Sequence, residues 1–95
     1  MSDELTSLRL RIEGFVQGVS FRNFAIDEAR HLGVDGWIRN RADGTVETLV
    51  SGDNAAVEKF IAACMKGPPG SRVANVEIHK ADTPEEKGFR RRPSV

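Results

Sequence analysis

The sequence predicts an α+β fold, a βαββαβ sandwich of the split βαβ type, with two helices on one face of an antiparallel sheet of four to five strands. Three observations carry this expectation. Short stretches alternate strictly between apolar and polar residues, two longer stretches carry a single apolar stripe at helical spacing, and the two kinds follow one another in the order strand, helix, hairpin, helix, strand. In the first strand Leu8, Leu10 and Ile12 alternate with Arg9, Arg11 and Glu13, and Gly14 ends it. Phe21, Phe24, Ala25, Ala29 and Leu32 then line one side of a helix, with Ser20 placed to cap its start and Gly33 its end. Val34, Gly36 and Ile38 alternate with Asp35, Trp37 and Arg39, the turn signal Asp43-Gly44 follows, and Val46, Thr48 and Val50 alternate with Glu47 and Leu49. Asp53 is suited to cap a second helix carrying Val57, Phe60, Ile61 and Cys64, stopped by Gly67-Pro68-Pro69. Ala74, Val76 and Ile78 alternate once more, and beyond Pro84 the segment Lys87 to Arg91 suits a short edge strand. Strand parity turns Arg9, Arg11, Trp37, Arg39 and Glu47 toward water on the face away from the helices.

Length and charge narrow the functional classes. Ninety-five residues suit one domain, read as spanning residues 1–95, with no room for a separate cofactor domain. Lys plus Arg and Asp plus Glu both number 14, so the chain is formally neutral, which argues against coating nucleic acid or an anionic membrane. Cys64 is the single cysteine, so it closes no internal disulfide, and no second Cys or His lies at zinc-ligand spacing. Met1 to Leu10 lacks the basic and apolar regions of a leader, and the longest apolar run, Phe60 to Met65, is far too short to cross a bilayer. The expectation is a soluble cytoplasmic protein.

The connection from the first strand to the first helix, Gly14-Phe15-Val16-Gln17-Gly18-Val19-Ser20-Phe21-Arg22, is the informative segment. A loop with two glycines opening a helix can gather free N–H groups at the positive end of the helix dipole, which makes an oxyanion or phosphate cradle. The same glycines also serve a plain tight turn, and glycine alone does not choose between them. Arg22 opposes the dipole in the first helical turn. Either it meets an anion held by the loop, or it swings out to a carboxylate such as Asp27. Asn40 is polar, yet parity puts it on the inward face at a strand end. It is either a turn residue bonding its own backbone or a group that holds a water or a phosphate oxygen. Cys64 lies on an apolar stripe and reads as core, His31 suits the negative dipole end in the last turn of the first helix, and His79 has outward strand parity, so neither histidine reads as a catalytic base. Arg90-Arg91-Arg92 reads as a solvated tail and Glu85-Glu86 as a solvated turn.

Gly14-x-Val16-Gln17-Gly18-Val19-x-Phe21-Arg22 resembles the first signature of the acylphosphatases. Gly36-Trp37-Ile38-Arg39-Asn40-x-x-x-Gly44-x-Val46, ending at Gly52, resembles their second, and Gly67-Pro68-Pro69-Gly70-Ser71-Arg72-Val73 is similar to their loop before the fourth strand. The resemblance covers nearly the whole chain. It implies a ferredoxin-like sandwich and hydrolysis of the carboxyl-phosphate bond of small acyl phosphates to carboxylate and inorganic phosphate. It implies further that Arg22 binds the phosphate together with the loop Phe15, Val16, Gln17, Gly18, Val19, Ser20 and Phe21, and that Asn40 orients the attacking water. Two departures stand out: Phe15 where the family is often polar, and the basic end Phe89-Arg90-Arg91-Arg92, which puts the pairing of the last strand in doubt.

The residue inventory fits such chemistry. A carboxylate leaves without protonation, so no general acid is needed, and no Cys heads the loop to act as nucleophile. Direct attack by water on a loose transition state held by N–H donors and a guanidinium is the expected route, with no metal and no cofactor. The expected partners are the small-molecule acyl phosphate and the phosphate product, not nucleic acid or membrane, and the expected state is a monomer. Two other readings stay open: a non-catalytic small-anion-binding module, and an RNA-binding module of the same element order, although no aromatic RNA-reading strand is evident.

Overall fold

The computed structural model describes residues 4–95, so the part of the leader-free reading that rests on Met1, Ser2 and Asp3 lies outside the described residues. The elements are β1 (Leu5–Phe15), α1 (Phe21–Leu32), β2 (Asp35–Asn40), β3 (Val46–Asp53), α2 (Asn54–Lys66), β4 (Arg72–Lys80) and β5 (Phe89–Arg91). They build one sheet in the order β4-β1-β3-β2-β5. The β1, β2, β3 and β4 ladders are antiparallel, as expected. The fifth is not: β5 pairs with β2 in parallel, Gly36 opposite Phe89 and Ile38 opposite Arg91, so the sheet is mixed. The reason is topological. β4 runs against β2, and a simple chain reversal after β4 delivers β5 in the direction of β2.

Parity sorts the core as the alternation predicts. Leu10, Ile12, Ile38, Val46 and Val50 from the sheet meet Phe21, Ala25 and Ala29 of α1 and Val57, Phe60 and Cys64 of α2. Each large side chain buried here contributes about 1.5–3 kcal/mol. Phe89 ties the new edge to this core, its ring centroid 5.4 Å from that of Phe60. Asp53 caps α2 by accepting from Ala55 N–H at 3.2 Å, and Gly33 closes α1 in a left-handed conformation. Ser20 departs from its expected role. It precedes α1, but its side chain makes no capping bond, because the residue sits at φ 60°, ψ 25° rather than in the extended conformation that aims a cap hydroxyl at the helix.

The outer face of the sheet carries one clear correction. Glu47, expected toward water, is only 5% exposed. Arg39 Nε at 2.8 Å and Arg41 Nη1 at 3.0 Å converge on its Oε1, and Arg9 Nη1 approaches Oε2 at 3.3 Å. Burial pushes the Glu47 carboxyl up, but the hydrogen bonds and charges of Arg39 and Arg41 outweigh it and the net shift is downward. Nearby, Thr45 donates through both its hydroxyl and its N–H to Asp43, which with Arg11 holds that carboxyl at about 2 instead of near 3.8. A carboxylate whose folded pKa is depressed stabilises the fold above its unfolded pKa and loses that stabilisation as pH falls through the folded value. Denaturant midpoints should therefore stay level from neutral pH down to about 5 and then fall, with the Asp43 share disappearing between about pH 4 and 2. Asp43→Asn should flatten that last limb, and an unchanged acid limb in the variant would show that these bonds carry no stability.

Candidate active site

The site forms where β1 hands over to α1. A register shift between Glu13 and Gly14 bends the strand end, and Gly14, at φ 129°, lies so close to β4 that a Cβ would sit 2.1 Å from the Arg72 carbonyl oxygen. Beyond it, Val16 and Phe21 drop into the core, 1% and 2% exposed, and so pin both ends of the intervening loop. Between them Gly18 at φ 75° and Ser20 at φ 60° both take left-handed conformations, which a short backbone uses to turn successive N–H groups toward one side. Ser20, lacking glycine's freedom, is strained by about 1–3 kcal/mol, a kind of strain that concentrates at ligand sites. The first bond of α1 runs from Phe24 N–H to the Ser20 carbonyl at 3.0 Å. Among the described residues, the N–H groups of Gln17, Gly18, Val19 and Ser20 donate to no loop or turn acceptor.

Around this loop opens a cleft of about 270 Å³. Of the residues expected at the phosphate, Val16, Gln17, Gly18, Ser20, Phe21 and Arg22 line it, and Asn40 joins them from the end of β2. Phe15 and Val19 do not. Phe15 is still part of the β1–β4 ladder, opposite Arg72, with its side chain largely exposed, and Val19 leans on the core. The Gln17 side chain is committed elsewhere: its Nε2 donates to the Arg41 carbonyl at 2.8 Å and the Thr45 carbonyl at 2.9 Å. It thereby fastens the loop to the β2–β3 turn, next to Asn40, and leaves only its backbone for an anion.

The contacts of Arg22 and Asn40 bear on the alternatives that the sequence leaves open. Arg22 is half-buried and, among the described residues, forms no ion pair, with Asp27 or any other carboxylate. Burial lowers its proton affinity, and the charge of Arg91 lowers it further. An arginine nevertheless stays protonated, so the cleft holds an uncompensated cation. The side chain of Asn40 does not close the turn; Asp43 does, accepting from Thr45 N–H at 3.0 Å. Instead Asn40 Oδ1 is buried without a hydrogen-bond partner in the protein. Such an acceptor costs about 1–3 kcal/mol.

Sequence reasoning missed one member. Arg91 ends the expected edge strand, β5, but instead of facing water with the rest of its basic run it lines the same cleft, where it donates to Asn23 Oδ1 on α1. The neighbouring residues are not a free tail either: Arg92 N–H donates to Ile38 and Val95 N–H to Asn40, so this segment runs along β2 and supports Asn40 from outside. The short strand and its basic run are visible in the sequence, but nothing local says which of the three arginines turns into the cleft. Glu85, with Trp37 and Arg92, lines a second hollow on the outer face.

Elsewhere the remaining candidates drop out. Cys64 is buried and its thiol is pushed up to about 12 by burial and then by Glu28, so it supplies no thiolate. No group of three or more His, Cys, Asp or Glu among the described residues could hold a metal ion, and none of their helices is long and apolar enough to cross a membrane. On the outer face Arg9, Arg11, Arg39 and Arg41 are engaged by Glu47, Asp43, Glu13 and Glu77, and the Arg92 guanidinium lies over the Trp37 ring.

A two-layer sandwich whose first strand-to-helix loop and second strand end enclose a cleft with two cations and a buried, unpartnered amide oxygen belongs to the class of small domains built to receive an anion. The acylphosphatase family profile matches residues 8–91. The chain is 45% identical over 91 residues to an acylphosphatase of Rhodospirillum rubrum, covering 96% of this chain and all of that protein. Its fold superposes on the acylphosphatase structure from Coxiella burnetii with a TM-score of 0.88, at 30% identity and 93% coverage of each chain. With the Bacillus subtilis acylphosphatase structure the TM-score is 0.84, at 35% identity over 92% of this chain and 97% of that one. The chain belongs to the acylphosphatase family.

Proposed function

We propose that this protein hydrolyses the carboxyl-phosphate bond of small acyl phosphates, releasing carboxylate and inorganic phosphate. The observation that supports the mechanism is that Asn40, whose Oδ1 is buried without a partner, lines the same cleft as Arg22, which forms no ion pair among the described residues. The phosphoryl oxygens sit against the loop N–H groups and the Arg22 guanidinium, whose planar fork can hold two of them. A water donates one hydrogen to Asn40 Oδ1, which fixes the water and leaves its lone pair free to attack phosphorus. The new bond forms from the water oxygen, the bond from phosphorus to the acyl oxygen breaks, and its electron pair leaves with the carboxylate. The water's protons pass to the phosphate product and to solvent. A carboxylate with an ordinary pKa near 4 leaves unprotonated, so the cleft's lack of a positioned acid is no obstacle.

Anion binding by itself would be served by the loop and Arg22; an acceptor oxygen facing a phosphate would repel it, and only a donor such as water makes sense of it. The reading extends to a cytoplasmic monomer working without metal or cofactor. The test is hydrolysis of acetyl phosphate by the purified chain with and without EDTA. Turnover should be indifferent to the chelator, and a phosphate monoester should react at least about 10²-fold more slowly, since its alkoxide needs the missing acid. Activity that disappears on chelation and returns with a divalent ion would overturn the metal-free route, and absence of turnover would leave an anion-binding module.

A further inference from the structure

We infer that Arg91 is a specificity-determining residue that adapts the cleft to acyl phosphates whose acyl part carries a negative charge of its own. The inference rests on the reading of the cleft as an acyl phosphate site. It starts from the different fates of three successive arginines. Arg90 pairs with Glu86, and the Arg92 guanidinium lies 5.0 Å from the centroid of the Trp37 ring. Arg91 alone turns to the cleft, held by the neutral side chain of Asn23, and among the described residues it has no carboxylate partner. Asn23 therefore orders the guanidinium without consuming its charge.

A second unpaired cation beside Arg22 is unfavourable in the empty protein, and its field already lowers the proton affinity of Arg22. The phosphoryl group does not need it, because the loop amides, the start of α1 and Arg22 supply donors for three oxygens. Position separates the two arginines as well: Arg22 is half-buried within the cleft, whereas Arg91 is exposed on the edge strand. A substrate seated with its phosphoryl group on the loop extends its acyl part outward, and Arg91 is the cation at that end. An acyl chain ending in a carboxylate or a second phosphate would be drawn there by a charge-assisted hydrogen bond, and a simple alkyl chain would not.

Calorimetry with two stable probes tests this without relying on turnover: 3-phosphonopropionate, which carries a distal carboxylate, and propylphosphonate, which does not. The wild type should bind the carboxylate probe about tenfold more tightly, the size of one charge-assisted bond at a partly exposed site. Arg91→Gln should bring that ratio close to one, and Arg91→Lys should keep part of it. The kcat/KM ratio of succinyl phosphate to butyryl phosphate should move in the same way, with melting temperatures confirming that each variant is folded. A ratio that Arg91→Gln leaves untouched, or a parallel weakening of both probes, would overturn the inference; the second result would make Arg91 a clamp on the phosphoryl group. If the wild type hydrolyses neither acyl phosphate yet prefers the carboxylate probe, the hydrolytic reading fails and the specificity stands. If it hydrolyses both with no preference, the specificity fails alone.

Discussion

Arg22→Ala should fold at least as firmly as the wild type yet hydrolyse acetyl phosphate about 10³-fold more slowly, a loss of about 4 kcal/mol in transition-state stabilisation. Both halves of this result follow from the same environment. The Arg22 charge opposes the dipole of α1, is partly desolvated and is repelled by Arg91, and among the described residues no ion pair offsets these terms. Removing it should raise stability by roughly 0.3–1 kcal/mol, the usual size of a charge in the wrong place at a helix start. In the transition state the balance reverses, because charge builds on the peripheral phosphoryl oxygens where the guanidinium lies. Arg22→Lys should remain severely impaired, since a point charge cannot reproduce the two-pronged hold. Thermal melts with and without inorganic phosphate give an independent check: phosphate should raise the wild-type melting temperature and leave that of Arg22→Ala unmoved. Near-wild-type kinetics in the lysine variant would remove Arg22 from the reaction, whatever its effect on stability.

Much of this architecture is legible in the sequence, because it rests on local signals. The alternation of Leu8, Leu10 and Ile12, the stripe of Val57, Phe60 and Cys64, and the caps Asp53 and Gly33 each state in a few consecutive residues what the backbone then does. What stayed hidden depends on partners far away in sequence. Glu47 has outward parity like Arg9 and Arg39, and nothing local says that they and Arg41 will close over it. The edge strand ending at Arg91 is legible, but its pairing with β2, the turn of Arg91 into the cleft and the contact of Phe89 with Phe60 all depend on distant residues. Ser20 illustrates a different failure. Its residue type favours a helix cap, but the loop demands a left-handed turn at that position, and the tertiary requirement overrides the local preference. Gln17 was placed in the right loop for an incomplete reason: its side chain fastens the loop to the Arg41–Thr45 turn, and only its backbone is left for the anion.

That fastening sets the stage for the residue whose replacement is most informative. Gln17 joins the loop to the turn that begins one residue after Asn40, so the loop that holds the phosphoryl group and the amide that holds the water share one frame. Asn40→Ala should lower kcat for acetyl phosphate by at least about 10²-fold while KM and inhibition by inorganic phosphate stay within about twofold, because a lost water position is felt on the way to the transition state rather than in the bound ground state. Stability should change little or rise. The variant loses an acceptor that is buried without a partner, which recovers part of a desolvation penalty of about 1–3 kcal/mol, and the backbone bond from Val95 N–H to the residue 40 carbonyl does not depend on the side chain. Denaturation and phosphate binding measured on the same preparation separate the outcomes. A variant that binds phosphate poorly but retains kcat would make Asn40 a ligand of the anion and refute its hold on the water. A variant that fails to fold would make its side chain a structural part of the strand end, against the absence of any bond from its Oδ1. A folded, phosphate-binding, catalytically crippled variant would leave the orphaned oxygen with one remaining explanation, the water that attacks phosphorus.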